Sequence, residues 1–530
     1  MKILVYNWVD CLDEERRGGG VTLYQRNLMG ACAEAGDIDA WFLSAGISYD
    51  LMPGRPRWER LRHGPDDHRA RRFEIVNSGV LSPAHNAFGD ATQLDHPATV
   101  AALADFLAVH GPFDAVHFNN LEGLPAGVLG LKARWPQTRF VLSLHNYYPF
   151  CPQVNLWWQE RAHCADFAGG RACTDCLPHR HNPQVVRAAH ALAYRLKTAG
   201  IRPGTPLFDR VFRTVMRSGG RALRLATRMR RGARRMGARM RMQNRVQAGI
   251  QKSMQVDMQV DALIDKAPRA MLMPAGPPPA AAAFAARRAR MVALINAHCD
   301  RVLCVSDRVR AIAEAHGVRP EILRTSYIGT AHAARFAATP PRPAILRADG
   351  TLGLGYLGYM RRDKGFYFLI EALAALPAAL AARLHLTVAA PAEDAAALAQ
   401  LQAVGRRCAG FTFHDGYAQE ALDTILAGVD VGVVPVLWED ALPQVAIEMH
   451  ARRIPLLTSD RGGARELAGC DAMVFRAGDA AGFAGRIAAL LDGRITAADY
   501  WAGPVRPPLD MATHLAELRG HYAAAGPAPG

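Results

Sequence analysis

The order of the apolar segments is the feature that most constrains the fold of this chain. Short, uniformly apolar segments recur along the sequence, and stretches with a helical repeat of apolar residues separate them. Strands that are apolar on both faces are typical of parallel sheets covered by helices on both sides. We therefore expect an α/β protein with doubly wound parallel sheets. The expected strands of the first series are Ile3–Asn7, Trp41–Ser44, Phe73–Asn77, Ala115–Phe118, Phe140–His145, Val302–Ser306 and Thr325–Ile328.

A second series of the same kind follows a stretch rich in Pro, Ala and Arg. This stretch, Ala331–Gly350, is expected to link two domains, because a chain of 530 residues is too long for one ordinary core. Two such sheets leave a cleft at the carboxyl ends of their strands, where open α/β sheets bind ligands. The chain should end in a helix, Met511–Ala525. The expected strands of the second series are Leu352–Gly358, Leu384–Ala389, Phe411–His414, Val431–Pro435, Ile454–Thr458 and Ala472–Phe475.

A long insertion separates two strands of the first domain. It contains a cysteine cluster at 151–176, a basic segment at 184–252 and a Pro- and Ala-rich stretch at 271–286, which we expect to be a flexible tether. The expected units are a first domain of 1–150 and 287–335, the insertion 151–286, a second domain of 351–505, and a terminal helix and tail of 506–530.

The basic segment holds most of the positive charge. It has 18 Lys or Arg residues and one acid, Asp209, whereas the whole chain has a net charge of +15. Its arginines surround apolar residues at helical spacing, which is typical of helices that bind anionic membrane surfaces. A solvated charge run and a nucleic-acid site are the alternatives, and the scarcity of aromatic residues disfavours nucleic acid. The apolar residues are Leu225, Met229, Ala233, Met236 and Met240.

Four of the ten cysteines lie close together in the sequence, as Cys151, Cys164, Cys173 and Cys176. Their pattern is C-x12-C-x8-C-x2-C, and four thiolates with a CxxC pair fit a closed, tetrahedral structural zinc site. Free thiols and redox chemistry are the alternatives. We expect zinc, if it binds, to brace a loop beside the strand that ends at His145.

The most informative motif runs from Leu437 to Leu467. Asp440 and Glu448 are separated by seven residues, and a helix should begin near Pro443, because proline is tolerated in the first helical turn. A loop carboxylate and a helical carboxylate beside a strand end suit the hydroxyls of a sugar and a ribose. The same stretch also contains Glu439, Gly462, Gly463 and Glu466.

A second motif, from Gly353 to Leu373, has the layout of a strand, a tight glycine turn and a helix. Backbone amides at a helix start, together with fixed cations, bind a nucleotide diphosphate. The turn supplies these groups as Gly358, Arg361, Arg362 and Lys364.

The first domain has its own candidate residues. Gly18, Gly19 and Gly20 join the first strand to a helix, and consecutive glycines let a loop approach a phosphate or a sugar ring closely. Two histidines, His117 and His145, end expected strands and so should lie at the cleft.

Together these motifs resemble those of retaining, GT-B-fold glycosyltransferases related to family GT4. Their E-x7-E element appears here with Asp440 in place of the first glutamate, and Tyr359 stands where the family usually has an arginine after the glycine. The sequence LHNYYPFC resembles a subset of this family that carries a cysteine-rich loop after the histidine strand. The resemblance covers most of residues 1–150 and 290–500.

The resemblance implies a role for each candidate. The fold would be GT-B, two Rossmann-like domains facing each other across a cleft, with the terminal helix crossing back to the first domain. The donor would be a nucleotide-diphosphate sugar, and catalysis would need no metal cofactor. In the donor site, Lys364 with Arg361 or Arg362 would bind the diphosphate, Glu448 the ribose, Asp440 or Glu439 the sugar, and Tyr417 the nucleobase. His145 would bind the sugar or the acceptor, and His117 and Glu466 would support the residues that contact ligands. The glycines that would let the backbone approach the donor closely are Gly19, Gly20, Gly358, Gly462 and Gly463.

The expected function is transfer of a hexose-type sugar, with retention, to a glycan or lipid-linked acceptor in bacterial surface or extracellular polysaccharide synthesis. The first residues lack the layout of a signal peptide and no long apolar run is present, so we expect a cytoplasmic protein, held through 184–252 at the inner face of the membrane. The alternatives are a nucleotide-sugar 2-epimerase of the same fold and a catalytically degenerate, membrane-associated binding or assembly subunit.

Overall fold

The computed structural model describes residues 1–15, 17–177, 181–216 and 279–523. They form two α/β domains and part of the insertion. The strands are β1 (Lys2–Tyr6), β2 (Asp39–Ala45), β3 (Arg57–Arg60), β4 (Arg72–Val76), β5 (Ala115–Phe118), β6 (Arg139–Leu144), β7 (Trp157–Trp158), β8 (Ala162–His163), β9 (Arg301–Cys304), β10 (Leu323–Thr325), β11 (Leu352–Leu357), β12 (Leu384–Ala390), β13 (Gly410–Asp415), β14 (Val431–Val434), β15 (Leu456–Ser459) and β16 (Val474–Phe475).

Helices cover both sheets. Among the described residues the α-helices with defined bounds are α1 (Gly19–Ala35), α2 (Pro97–His110), α3 (Arg171–Thr174), α4 (Pro183–Thr198), α5 (Ala281–His298), α6 (Asp307–Ala315), α7 (Ala333–Ala338), α8 (Phe366–Ala374), α9 (Ala378–Ala381), α10 (Ala395–Gly405), α11 (Leu422–Leu426), α12 (Gln444–His450), α13 (Ala480–Leu491), α14 (Ala497–Trp501) and α15 (Met511–Tyr522). In this part of the chain every helix is too short or too polar to cross a lipid bilayer.

The first sheet has eight strands in the order β10-β9-β6-β5-β1-β2-β4-β3. All neighbours pair in parallel except β3, which is antiparallel to β4 at the edge. The expected strands of the first series are confirmed, with ends shifted by a few residues. Strand β3 was not expected, because its sequence RWER has no apolar run; such charge is common on edge strands.

The second sheet has six parallel strands in the order β13-β12-β11-β14-β15-β16. Every expected strand of the second series is present, and the core between sheet and helices is apolar. The order reverses between β11 and β14, so the loops after these two strands lie side by side at the carboxyl edge. This edge is where ligands bind in open parallel sheets.

The end of the chain returns to the first domain. Helix α15 packs on α1, and the Tyr24 hydroxyl lies 2.8 Å from Nε2 of His514. The segment that returns to the first domain lies beside the segment that leaves it, because the backbone N–H of Thr330 donates to the carbonyl of Leu509 at 2.8 Å. The two passages of the chain between the domains therefore run side by side.

The described part of the insertion packs on the first domain. Strands β7 and β8 form a hairpin in the cysteine-rich loop. Helix α4 and the helical residues 206–216 bury an apolar face against the loops that follow β1 and β2. Residues 217–252, which include the apolar residues of the predicted basic helix, lie outside the described residues.

The predicted tether at 271–286 is wrong in its last part. Residues 271–278 lie outside the described residues, but helix α5 already begins at Ala281. Alanine has the highest helix propensity, and Phe284 in the first turns is buried, so packing fixes this alanine-rich stretch as helix.

Candidate active site

The predicted cation and acid of the donor site form an ion pair. Nζ of Lys364, in the turn after β11, lies 2.6 Å from Oδ2 of Asp440, in the loop after β14. Nζ also lies 4.9 Å from the ring centre of Trp438, a cation–π contact. Asp440 is buried and Lys364 is partly exposed, so this pair lies at the wall of the cleft.

Glu448 is buried one turn into α12, as predicted. Its carboxylate accepts hydrogen bonds from the Tyr417 hydroxyl at 3.0 Å and from Nε2 of Gln419 at 2.7 Å. Oε1 of Gln419 lies 2.8 Å from Nε2 of His332. The structure thus brings Tyr417 and Glu448 together, and it adds Gln419, whose only sequence signal is its place two residues after Tyr417.

Gly462 and Gly463 form the turn after β15 that supports the loop of Asp440. Gly462 has a φ of +71°, and a Cβ there would lie 2.1 Å from the Asp440 carbonyl oxygen. The backbone N–H of Gly463 donates to the same oxygen at 3.0 Å. Only glycine fits position 462, and its role is to hold the backbone of Asp440 in place.

Glu439 does not face the donor side as predicted. It is fully buried, and Arg308 of the first domain donates to both of its carboxylate oxygens, at 2.6 and 2.9 Å. Arg461 donates to it at 3.0 Å and the N–H of Gly462 at 3.1 Å. Burial alone would raise the pKa of Glu439, but the two guanidinium groups lower it to about 2. Glu439 therefore joins the second domain to the first through its ion pair with Arg308.

Glu466 also joins the domains. Its carboxylate accepts the backbone N–H groups of Asp307 and Arg308 at 2.8 Å each, at the N-terminus of α6, and the Tyr327 hydroxyl. A carboxylate is stabilised at a helix N-terminus by the free amides and the helix dipole. The predicted supporting role of Glu466 is thus a contact between domains.

The glycine loop of the first domain begins α1 and meets the second domain. A Cβ on Gly20 would lie 2.7 Å from Cγ of Gln444, the first residue of the helix that carries Glu448. Gly19 has a φ of +53°, and a Cβ added there would meet no other atom of the described residues within 4 Å, its chain neighbours and the backbone of its own helix aside. Among the described residues no side chain caps α1, so its first amides are available to a ligand in the cleft.

The two predicted histidines differ in their surroundings. Nε2 of His145, partly exposed after β6, lies 3.0 Å from Oδ1 of Asn119. Although part of the residue reaches the surface, the groups packed around the ring desolvate it and lower the pKa of the imidazole to about 3, so the ring is neutral at physiological pH. His117 is fully buried between the Tyr522 hydroxyl and the Ser143 hydroxyl, each at 2.7 Å. His117 therefore anchors the terminal helix and not a ligand.

The remaining residues of the glycine turn lie around Lys364. The N–H of Gly358 donates to the Ala389 carbonyl at 3.1 Å. Arg361 pairs with Asp363 at 2.9 Å, and its charge acts on His85 of the first domain, whose pKa is lowered to about 3 mainly by burial. Arg362 is exposed over the ring of Tyr367. The charge of Arg361 thus acts on a residue of the first domain.

The four clustered cysteines do not converge as metal ligands. Within the described ranges no group of three or more His, Cys, Asp or Glu side chains has an arrangement that could hold a metal ion. The cysteines are neighbours, since burial and then Cys151 and Cys164 raise the pKa of Cys173 to about 12. However, Sγ of Cys176 accepts from Nε2 of Gln153 at 2.9 Å. The structure does not support the predicted zinc site.

Several residues of the site had no signal in the sequence. Arg308 contacts Glu439 from 131 positions away, and Arg461 contacts it from 22 positions away within the same motif. His163 of the cysteine-rich hairpin lies 3.8 Å from the same carboxylate. Tyr147, two residues after His145, is fully buried, and burial followed by the charges of Glu439 and Asp440 raises the pKa of its hydroxyl. It therefore lies on the Asp440 side of the first domain.

Comparisons with known proteins agree with this architecture. Residues 351–493 match the family described as "Glycosyl transferases group 1". The sucrose-phosphate synthase of Thermosynechococcus elongatus is similar in fold, with a TM-score of 0.51, 14% sequence identity and 98% of each chain covered. So is HepE of Anabaena, solved with UDP, with a TM-score of 0.50, 13% identity, and 98% of this chain and 99% of that chain covered.

No curated protein matches the chain in sequence. The structural similarity confirms the predicted GT-B fold, and the segment that is similar to group 1 glycosyltransferases contains Lys364, Asp440 and Glu448. The domain match and the fold together support a glycosyltransferase.

Proposed function

We propose that this chain is a retaining hexosyltransferase that moves a sugar from a nucleotide diphosphate to a glycan or lipid-linked acceptor. The observation that carries the proposal is the Lys364–Asp440 ion pair, in the loop that leads into the helix of Glu448. This arrangement lies within the segment that matches group 1 glycosyltransferases. It combines a cation for a diphosphate with two carboxylates for sugar and ribose hydroxyls.

The donor binds at the carboxyl edge of the second sheet. Lys364 and Arg361 hold the diphosphate, and Glu448 accepts hydrogen bonds from the ribose. Because each carboxylate oxygen can accept more than one hydrogen bond, Tyr417 and Gln419 orient Glu448 and leave lone pairs for the ribose. HepE, which has the same fold, was solved with UDP, so a uridine nucleotide is the first donor to test.

The transfer takes place on one face of the sugar. The bond between the anomeric carbon and the phosphate oxygen breaks, the bond to the acceptor oxygen forms on the same face, and the acceptor proton passes to the leaving phosphate. The protein stabilises the diphosphate charge through Lys364 and positions the sugar through Asp440. His145, neutral because burial lowers its pKa, contributes hydrogen bonding and not a charge.

The acceptor is proposed to be presented at a membrane in polysaccharide synthesis. In the helical residues 206–216, Phe208 and Phe212 are buried while Leu207 and Val215 are 55% and 47% exposed. Arg210 is exposed on the same helix. Exposed apolar side chains beside arginines suit an anionic lipid surface, so we place the protein at the inner face of the membrane.

The proposal is tested by incubating the full chain with UDP-, GDP- and ADP-sugars and following the products by NMR. We expect one donor to raise the melting temperature, since a ligand that binds only the folded state stabilises it, and to transfer its sugar with retained configuration. A change in the sugar without any acceptor would favour an epimerase. Binding without turnover across a broad acceptor panel would favour a degenerate subunit. Failure of every nucleotide to bind would refute the donor site.

A further inference from the structure

Four charged side chains that are almost completely buried lie together just before α1. Nη2 of Arg17 lies 2.6 Å from Oδ1 of Asp13 and 3.3 Å from Oε1 of Glu15. The same oxygen of Glu15 lies 3.4 Å from Nζ of Lys197. At most 9% of each of these side chains is exposed. We call Asp13, Glu15, Arg17 and Lys197 the loop network.

Lys197 is the member of the loop network that the insertion supplies. It lies in the last turn of α4, whereas the other three residues belong to the loop between β1 and α1. The signs of charge alternate along the contacts, so each acid of the network has a cation beside it. Burial alone would raise the pKa of Asp13, but Arg17 lowers it below its ordinary value. The insertion thus contributes one of the two cations that keep this loop of the first domain in place.

The glycine loop packs on an apolar cluster that includes α4. This loop consists of Gly18, Gly19 and Gly20. A Cβ on Gly18 would lie 2.6 Å from Cγ1 of Val9, so the loop lies directly on this side chain. Val9 is fully buried and belongs to the same apolar cluster as Val186 and Leu196 of α4. An ionic and an apolar contact therefore both connect the insertion to the start of α1, where free amides suit a phosphate.

Loss of the Lys197 ammonium group would leave an excess of buried negative charge. Arg17 would then be shared by Asp13 and Glu15. Glu74 of β4 lines the same cavity as the loop network and adds a further buried carboxylate. A buried carboxylate without its cation costs free energy, and Glu15 would lower this cost by turning towards solvent. That turn would remove one contact of Arg17 and loosen the backbone on which the glycine loop depends.

We propose that Lys197 of the insertion is a positioning residue for the donor site, because it holds the glycine loop where the first amides of α1 meet the nucleotide sugar. Lys197 acts through Glu15 and Arg17 and does not itself touch the donor. The inference rests on the proposed function and deepens it, since it gives the insertion a role in donor binding. Its consequence is that the insertion raises the affinity for the nucleotide sugar.

The central variant is Lys197→Met, which removes the ammonium group and keeps an unbranched apolar side chain. Helix α4 should stay on the first domain in this variant, because Arg187 donates to the carbonyl of Gly79 at 2.8 Å and Arg62 donates to the Tyr194 hydroxyl at 2.6 Å. Lys197→Arg keeps a cation at this place and should behave as the wild type. Arg187→Met is the matched control, since it removes a cation of the same helix that contacts the first domain outside the loop network.

The first measurement is hydrogen–deuterium exchange of the full chain without any ligand. The amides of residues 17–24 should exchange faster in Lys197→Met than in the wild type, because local opening of the loop then costs less free energy. They should exchange at the wild-type rate in Lys197→Arg and Arg187→Met. Equal exchange of this segment in the wild type and Lys197→Met would overturn the proposal.

The second measurement is calorimetry with UDP-glucose, GDP-glucose and ADP-glucose. The affinity for the nucleotide sugar that the wild type binds best should fall about tenfold in Lys197→Met, which is the effect of losing roughly one hydrogen bond from an amide to a charged phosphate. Lys197→Arg should restore the affinity, and Arg187→Met should leave it unchanged. Faster exchange with unchanged affinity would overturn the proposal, because the position of the loop would then not matter for the donor.

Glu15→Gln tests whether Lys197 acts through the loop network. In this background the carboxylate that Lys197 neutralises is absent, so adding Lys197→Met should change neither exchange nor affinity further. Additive losses of affinity would overturn the proposed route. Failure of the wild-type chain to bind any of the three nucleotide sugars would count against the proposed function, and the exchange measurement would still decide whether Lys197 holds the loop.

Discussion

The Lys364–Asp440 pair shows how single side chains define the proposed donor site. The ammonium group neutralises Asp440 at 2.6 Å, and a bound diphosphate would share the same cation. Because Lys364 is partly exposed, the pair adds little to folding stability. The charge of Lys364 should therefore matter more for binding than for folding.

Replacing Lys364 with methionine should weaken nucleotide binding without unfolding the protein. A charge-assisted hydrogen bond contributes about 1.5–3 kcal/mol, so we expect affinity for the best-binding nucleotide sugar to fall roughly 10- to 100-fold. Calorimetry measures this change. Lys132→Met is the matched control, because Lys132 also pairs with an aspartate, Asp300 at 2.8 Å, but lies in the first domain. Equal affinity in wild type and Lys364→Met would contradict the assigned donor site.

Glu439 should make stability depend on pH in the acid range. The pKa of an unperturbed glutamate is 4.5 and that of Glu439 in the folded chain is about 2, so the unfolded state binds the proton first as pH falls. The stabilisation is present above about pH 4.5 and is lost as pH falls towards 2, and it amounts to on the order of 3 kcal/mol. In urea unfolding at pH 7, Glu439→Gln should have a lower free energy of unfolding than the wild type. About half of this difference in free energy should remain at pH 3.

Arg308 provides the control for this prediction. Removing Arg308 from the wild type leaves a buried carboxylate with one fewer cation, whereas in the Glu439→Gln background that penalty is absent. Arg308→Gln should therefore cost less stability in the variant than in the wild type. Additive effects at pH 7 would show that the two residues do not interact.

Some residues of the site could be found from the sequence because their signals are local. Asp440 and Glu448 are eight positions apart, and Lys364 follows a strand and a glycine, so spacing and residue type were enough to mark them as candidates. Arg308 could not be found, because it meets Glu439 across 131 positions and an arginine near a strand end is common. The sequence also could not show that the neighbouring acids 439 and 440 point to different partners.

At the scale of elements, close contacts between loops hold the site in shape. The turn after β15 supports the loop after β14 through Gly462, and the start of α1 approaches the start of α12 through Gly20. The Gly20 contact is with a flexible side chain, whereas the Gly462 contact is with backbone. A substitution should therefore be tolerated better at Gly20.

Gly462→Ala should displace the backbone of Asp440 and weaken nucleotide binding at least tenfold. The physical cause is the 2.1 Å approach of the new Cβ to the Asp440 carbonyl oxygen, in addition to the positive φ. Gly478→Ala is the control, since Gly478 has a φ of +79° but no atom of the described residues within 4 Å of an added Cβ. It should lose about 1 kcal/mol of stability and keep its affinity. Equal loss of affinity in both variants would contradict the steric explanation.

Helix α15 should depend on its hydrogen bonds to the first domain. Tyr522→Phe removes the partner of buried His117 and should lower the free energy of unfolding by about 1–3 kcal/mol. Urea unfolding measures this loss. Tyr367→Phe is the comparison, because that hydroxyl donates to Asp394 at the partly exposed surface of the second domain. A larger loss in Tyr367→Phe would contradict the anchoring role of Tyr522.

The elements themselves were largely predictable, because buried parallel strands have an apolar signature. The exceptions were β3, β7 and β8, which are short or charged and form through pairing with neighbours. The start of α5 at Ala281 was missed because alanine beside proline indicates a linker by composition, while burial of Phe284 favours helix. Tertiary contacts decided these cases, and the sequence does not display them.

At the scale of the whole molecule, the insertion places exposed apolar side chains on the first domain. Replacing Leu207 and Val215 together with serine should lower binding to anionic liposomes roughly 30-fold, because each side chain loses about 1 kcal/mol of partial burial in the lipid. Co-sedimentation measures this binding. Val109→Ser is the control, since Val109 is 57% exposed on α2. Membrane attachment would be contradicted if the wild type, the double variant and the control bound anionic liposomes equally. It would also be contradicted if the wild type bound neutral liposomes as well as anionic ones.

The paired passages at Thr330 and Leu509 restrict how the molecule can move. Two chain segments joined by a hydrogen bond allow fewer relative rotations of the domains than a single linker would. Any separation of the two domains would also have to break the contacts of Glu439 with Arg308 and of Glu466 with the start of α6.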